Sequence, residues 1–165
     1  MAAQEQAAKP CCPPFDPSAW DGKELVWKDK RFIKGSIPLL FHIPWPPMIG
    51  RLMKRMWDAA QAAGAAPELK DFLCLANDPS PWRGEHLIYV TREVPGMENV
   101  GLSGTFLTKV FEGPYSAVPK WIKQMEAYVH SQGKRTRNHY FYYTTCPKCA
   151  KLRGKNYVVA FAEVE

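Results

Sequence analysis

Four of the five cysteines form two pairs whose spacing could support metal or thiol chemistry. Cys146 and Cys149 have the Cys-x-x-Cys spacing of many zinc and iron sites, whereas Cys11 is followed directly by Cys12. If the first pair reached the second, up to four thiolates would be available to bind zinc or iron. Basic neighbours would favour thiolates at Cys146 and Cys149, and hence a redox role. Reduced thiols in a tight turn are the third interpretation.

Aromatic side chains precede the second cysteine pair in the stretch HYFYYTTCPKC, residues 139–149. In a strand, alternate side chains point to opposite faces, so His139, Phe141 and Tyr143 share one face. Tyr140 and Tyr142 point to the other face, and rings on both faces exceed what a half-exposed strand needs. We therefore expect a second apolar surface, a cleft that would bind a flat or cationic molecule. We place the face of His139, Phe141 and Tyr143 in this cleft.

The size and composition of the chain are typical of one globular domain. Its 165 residues are 46% hydrophobic and 23% charged, and no apolar run is long enough to cross a membrane. The N-terminus lacks the pattern of a secretory signal, so we expect a cytoplasmic protein. The net charge is +6, and we expect the basic residues to lie on solvent-exposed faces. Because the sequence contains no recognisable nucleic-acid-binding motif, nucleic-acid binding is not expected.

Hydrophobic periodicity predicts two units with the same order of elements, strand–helix–strand–strand. Each predicted helix is followed by a glycine, Gly64 or Gly133, and Pro79 has a counterpart in Pro147 at nearly the same offset. The predicted helices are Met48–Ala63 and Ala117–Gln132, and the predicted strands are Glu24–Lys28, Arg31–His42, Asp71–Leu75, His86–Val94, Leu102–Phe111, His139–Thr145 and Asn156–Val164.

These units predict an α+β fold in which two pseudosymmetric repeats form one antiparallel sheet with both helices on one face. Repeat one is expected at residues 31–95 and repeat two at residues 101–165. Both belong to a single domain of residues 24–165 that follows a tail of residues 1–23, and the cleft would lie between the halves. Trp57 and Trp121 lie on apolar helix stripes and Cys74 on a strand, so we expect all three in the core.

A Gly-Pro-Tyr turn, residues 113–115, joins a predicted strand to a predicted helix, and Tyr143 precedes Pro147 by four residues. Together with the helix SAVPKWIKQMEAYVHSQG, this pattern resembles the repeat of the GyrI-like superfamily. The segments CCPPFDPSAWDGKE and LSGTFLTKVFEGPY extend the likeness to stand-alone bacterial GyrI-like proteins. The resemblance implies binding of a small aromatic, amphipathic or cationic molecule in the cleft. Some stand-alone members hydrolyse cyclopropane-bearing alkylating toxins.

The chain departs from the superfamily at one position of the cleft. Ligand-binding and hydrolytic members commonly carry a glutamate two residues before the conserved Tyr of the motif, where this chain has Phe141. A buried carboxylate attracts cations or acts as a general base, and a phenyl ring does neither. Glu112 in the turn and Glu163 on the last strand are the nearest carboxylates that could replace it, so they are the candidate catalytic residues.

The candidate ligand-binding residues combine the aromatic strand with its counterpart in repeat one. That counterpart would place two leucines opposite the rings, and further aromatic residues would form the rim. The candidates are His139, Phe141, Tyr143, Leu73, Leu75, Tyr89, Trp82, Tyr115 and Phe161. Binding is the predicted function, and hydrolysis of the bound molecule is the alternative. A metal or thiol redox protein organised by the cysteine pairs is the second alternative.

Overall fold

The structure, a computed structural model, describes residues 15–144, 151 and 154–165. It consists of two units, each with the element order strand–helix–strand–strand. The elements are β1 (Lys23–Leu40), β2 (Ile43–Pro44), α1 (Pro46–Ala62), β3 (Cys74–Ser80), β4 (Arg83–Tyr89), β5 (Glu98–Glu112), α2 (Val118–Ser131), β6 (Thr136–Tyr143) and β7 (Tyr157–Val164). The first unit runs from β1 to β4 and the second from β5 to β7. The short strand β2 is an addition between β1 and α1.

These strands form one antiparallel sheet in the order β2-β1-β4-β3-β6-β7-β5. β1 also pairs with β5, along its residues Lys23 to Lys34, so six strands close into a ring. On the opposite side of the ring the two units meet between β3 and β6, where Ala76 is paired with Phe141. A closed ring gives the sheet an inner face and an outer face.

Both helices pack on the outer face, which confirms the predicted α+β fold. α1 covers β1 and β4, and α2 covers β5, β6 and β7. Each helix begins with proline in its first turn, and Gly64, with φ of +64°, follows α1 where the chain must turn away. The buried helix residues are Leu52, Met56 and Ala60 in α1 and Trp121, Met125 and Val129 in α2.

The three predicted core residues lie on this outer face. Trp121 is buried beneath α2, and Trp57 is partly buried with its ring 5.6 Å from that of Phe72. Cys74 packs against the α1 core, with its Sγ 4.0 Å from the Met53 sulfur. Burial raises the pKa of the Cys74 thiol to about 12, so this cysteine is an inert core residue at neutral pH.

The strand bounds differ from the sequence-based prediction in several places, and two of these differences have a local structural cause. β1 is one continuous strand, although the prediction ended one strand at Lys28 and began another at Arg31. A bulge between Trp27 and Lys30 lies at this break, so pairing with β5 continues on both sides of it. β3 begins later than predicted and continues beyond the predicted end at Leu75, through Pro79 to Ser80. Its register with β4 shifts between Asn77 and Ser80, so the proline lies in an irregular stretch that needs no ladder hydrogen bond.

Gly35 provides a stability test of how closely α1 approaches β1. A methyl group at Gly35 would lie 2.5 Å from Leu52 Cδ1 and 2.8 Å from the Met56 sulfur. We expect Gly35→Ala to lower the free energy of unfolding by about 1–3 kcal/mol, because both side chains must shift within a packed core. Urea denaturation followed by circular dichroism measures the change.

Gly50→Ala is the matched control, since Gly50 lies within α1 and has no atom within 4 Å of the added methyl group. We expect it to raise the free energy of unfolding by up to about 1 kcal/mol through helix propensity. Equal stability of the two variants would contradict the close approach of α1.

Candidate functional site

The inner face of the sheet carries a cluster of large apolar side chains from both units, which we call the ring cluster. Its rings are in contact across the junction between β1 and β5: Trp27 lies 4.6 Å from Phe106, measured between ring centroids, and Phe106 lies 6.4 Å from Tyr140. Trp27 and Tyr89 pack against its edge. The buried members are Phe32, Leu73, Leu75, Leu87, Phe106, Tyr140, Tyr142, Val159 and Phe161.

Residues 15–22, which we call the N-terminal segment, cover part of the ring cluster. The ring of Trp20 lies 5.6 Å from Phe161 and 6.0 Å from Tyr142, and Phe15 lies 6.5 Å from Tyr142. The backbone is held as well, because Val110 N donates to Asp21 Oδ1 at 3.0 Å. The described part of the predicted tail is therefore packed onto the domain.

The prediction that Phe141 and Tyr143 face the cleft is wrong. Both pack beneath α2 on the outer face, and Tyr140 and Tyr142 occupy the inner face instead. The pairing of β6 with β7 explains the exchange: Phe141 lies opposite Ala160, whose small side chain leaves room under α2, whereas Tyr140 lies opposite the large Phe161. Burial raises the pKa of Tyr143, in keeping with its place under the helix.

His139 also lies on the outer face, contrary to its predicted place in the cleft. Its Nε2 atom is 2.6 Å from Glu126 Oε1 on α2, so the imidazole tethers β6 to that helix. Two further candidates lie away from the inner face. Tyr115 contacts Tyr143 edge-on at 5.3 Å, and Trp82, at the β3–β4 turn, is 53% exposed and packs on Phe41.

The remaining ligand-binding candidates do meet on the inner face. Leu73, Leu75 and Phe161 are buried members of the ring cluster. Tyr89 is partly buried at its edge, with its ring 6.2 Å from that of Phe32. The structure thus brings together the predicted residues of β3, β4 and β7, whereas it separates them from the predicted face of β6.

A half-buried carboxylate, Glu163, follows Phe161 by two residues on β7 and so lies on the inner face, where its negative charge acts on Tyr140. Burial and then the negative charge of Glu163 raise the pKa of Tyr140, Glu85 adds to the rise, and a 3.2 Å hydrogen bond from Asn138 Nδ2 opposes it. Tyr140 therefore keeps its proton at neutral pH while facing a carboxylate from each unit.

The carboxylates of Glu85 and Glu163 differ in whether a basic side chain forms an ion pair with them. Glu85 forms ion pairs with Arg83 at 3.2 Å and Lys34 at 3.9 Å. Glu163 forms no ion pair with any residue in the part of the chain that the structure describes. Its charge is thus available to attract a cation or to accept a proton.

Glu112, the other candidate catalytic residue, lies outside the ring cluster. It is exposed at the end of β5, where it lines a shallow groove of about 400 Å³ with Asp21 and Tyr157. No buried member of the ring cluster lines this groove, and we leave Glu112 out of the candidate site.

Four site residues were missed from the sequence: Trp20, Trp27, Tyr140 and Glu85. The alternation of β6 did single out Tyr140, but on the face then assigned away from the cleft. Trp20 lies in the predicted tail of residues 1–23, and nothing in the local sequence marks Trp27 or Glu85.

The predicted metal ligands Cys11, Cys12, Cys146 and Cys149 lie outside the described residues, so binding of zinc or iron stays a prediction. Within residues 15–144, 151 and 154–165, no three side chains of the metal-binding types lie together.

None of the described helices is long and apolar enough to span a membrane.

Solved structures share this architecture at low sequence identity. The C-terminal domain of EcmrR matches with a TM-score of 0.70 and 11% identity, over 88% of this chain and 98% of that domain. A hydrolase from Listeria innocua matches with a TM-score of 0.61 and 11% identity, over 88% and 92% of the two chains. SAV2435, solved bound to tetraphenylphosphonium, matches with a TM-score of 0.51 and 12% identity, over 88% and 94%.

These matches confirm the resemblance to GyrI-like proteins at the level of the fold. Comparison with curated proteins gives no match. The model of one protein family, described as bacterial hydrolase, matches residues 2–164. Because this match spans nearly the whole sequence, the chain belongs to the bacterial hydrolase family.

Proposed function

We propose that the protein binds a small aromatic, amphipathic or cationic molecule on the inner face of its sheet. The observation that carries the proposal is the ring cluster itself, built from both units, with the uncompensated carboxylate of Glu163 beside Tyr140. This half-buried carboxylate adds a negative charge, without an ion pair among the described residues, to an otherwise apolar surface.

The ring cluster is chemically suited to flat and cationic ligands. Each contact between two aromatic rings contributes about 0.5–1.5 kcal/mol beyond the area that it buries, and a cation over a ring adds a comparable amount. The carboxylate of Glu163 adds attraction for positive charge. The binding of tetraphenylphosphonium by SAV2435, a protein of the same fold, supports this choice of ligand.

Access to the ring cluster requires movement of the N-terminal segment. Trp20 contacts Phe161 and Tyr142 at ring distances that a ligand ring would adopt, so a ligand replaces one set of aromatic contacts with another. The exchange leaves little net loss of packing. A ligand would therefore enter where residues 15–22 now lie.

Tetraphenylphosphonium tests binding, because it joins four aromatic rings to one positive charge. We expect saturable quenching of tryptophan fluorescence, and we expect Glu163→Gln to weaken binding about tenfold, which corresponds to about 1.4 kcal/mol. Glu93→Gln is the matched control, since Glu93 is exposed and lies outside the ring cluster. Equal affinity of the two variants, or no saturable quenching, would contradict the proposal.

Hydrolysis of the bound molecule is a second candidate function, favoured by the family match and by the placement of Glu163 beside Tyr140. Glu163 would accept a proton from water as the water oxygen bonds to a carbon of a strained ring and the carbon–carbon bond breaks. The electron pair moves into the ligand, which takes a proton from Tyr140, and Glu163 returns its proton to Tyr140. The net change is the addition of water.

Hydrolysis of a cyclopropane-bearing alkylating compound tests this second function by mass spectrometry, with a product heavier by one water as the readout. We expect Glu163→Gln to lower the rate on the order of a hundredfold, because it removes the general base. Glu112→Gln should keep the rate, since none of the buried members of the ring cluster lines the groove in which Glu112 lies. A rate lost in the Glu112 variant and kept in the Glu163 variant would refute the assignment.

A further inference from the structure

β1 contains a bulge at the rim of the closed sheet, and the proposed function does not involve this bulge. Trp27 is paired with Gly104 and Lys30 with Leu102, so three steps along β1 correspond to two along β5. Because of the extra residue, Trp27 and Lys30 point to the same side of the sheet rather than to opposite sides. Asp29, with φ of +48°, holds the bulge through a 2.8 Å hydrogen bond from its backbone N to Ser103 Oγ.

Lys30 is placed by this bulge over two aromatic rings. Its Nζ atom lies 4.2 Å from the centroid of the Tyr89 ring and 5.4 Å from that of Trp27. Among the residues that the structure describes, no carboxylate forms an ion pair with it. Partial burial lowers the pKa of Lys30, and the charge of Asp71 opposes this shift. The ammonium is thus partly desolvated, with the charge of Asp71 acting on it but no ion pair formed.

A groove of about 330 Å³ opens at this ammonium, and we call it the Lys30 groove. The volume lies at the lower end of the range for small-molecule sites and fits a ligand of one or two rings. Trp27 and Tyr89 provide aromatic walls. Three basic residues, Lys28, Lys30 and Arg31, and one acidic residue, Asp29, line the groove. With Asp71, which also acts on Lys30, the net charge stays positive and favours anions.

We propose that the Lys30 groove binds a planar aromatic anion, with its carboxylate on the Lys30 ammonium and its ring against Trp27 and Tyr89. This inference goes beyond the proposed function, since it assigns a second site with the opposite charge preference. A cation is excluded as the ligand because the Lys30 ammonium already lies over both rings and would repel it. An uncharged ring would gain the wall contacts without the ion pair.

Equilibrium dialysis of the full chain with 2-naphthoate and with the uncharged 2-naphthalenemethanol tests the proposal. We expect naphthoate to bind saturably and at least about tenfold more tightly than the alcohol, because a contact between an ammonium and a carboxylate contributes more than a neutral one. Lys30→Met should remove this preference for the anion, and Lys30→Arg should keep it.

Lys109→Met is the matched control, because Lys109 Nζ also lies over a tyrosine ring, that of Tyr128, at 5.0 Å but on the outer face. We expect it to bind naphthoate as the unmodified chain does. Circular dichroism confirms that each variant is folded. Equal affinities for naphthoate and the alcohol, full naphthoate binding by Lys30→Met, or no saturable binding would each overturn the proposal.

Discussion

The fold depends on one strand that pairs on both of its edges. β1 is 18 residues long, and its residues Phe32 to Lys34 are hydrogen-bonded in register with β4 and with β5 together. That double pairing closes six strands into a ring and so creates an inner face. Phe32 and Ile33, consecutive in sequence, are both fully buried, because one points to the ring cluster and the other to the core under α1.

Closure of the sheet also separates the core beneath the helices from the ring cluster on the inner face. Successive residues of each strand point alternately to one and to the other. On β7, small residues, Ala160 and Ala162, lie beneath α2, and the larger Phe161 lies inside the ring together with Glu163. A helix must approach a sheet closely, so it favours small partners, whereas the interior of the ring has to be filled by large side chains. The opposite charges of Glu163 and Lys30 are then placed at separate positions along the inner face.

The sequence predicted the helices and the duplicated order because these follow from local periodicity, as in the apolar stripe that ends at Gly64. The sequence did not predict which face of β6 points inward. Alternation assigns side chains to two faces, but it does not show which of the two faces the interior. The small alanines of β7 were the available signal. The pairing of β1 with β5 and the packing of Trp20 join residues far apart in the chain, and no local pattern encodes such contacts.

The two seams that join the halves of the ring are unequal. The seam between β1 and β5 is continuous for most of the length of β1, whereas Ala76 and Phe141 form the one paired position recorded between β3 and β6 in the described part of the chain. Parting a seam with so few backbone hydrogen bonds disrupts far less than parting the other. The long seam therefore joins the two units mainly through backbone hydrogen bonds, whereas the short seam depends on the packing of side chains in the ring cluster.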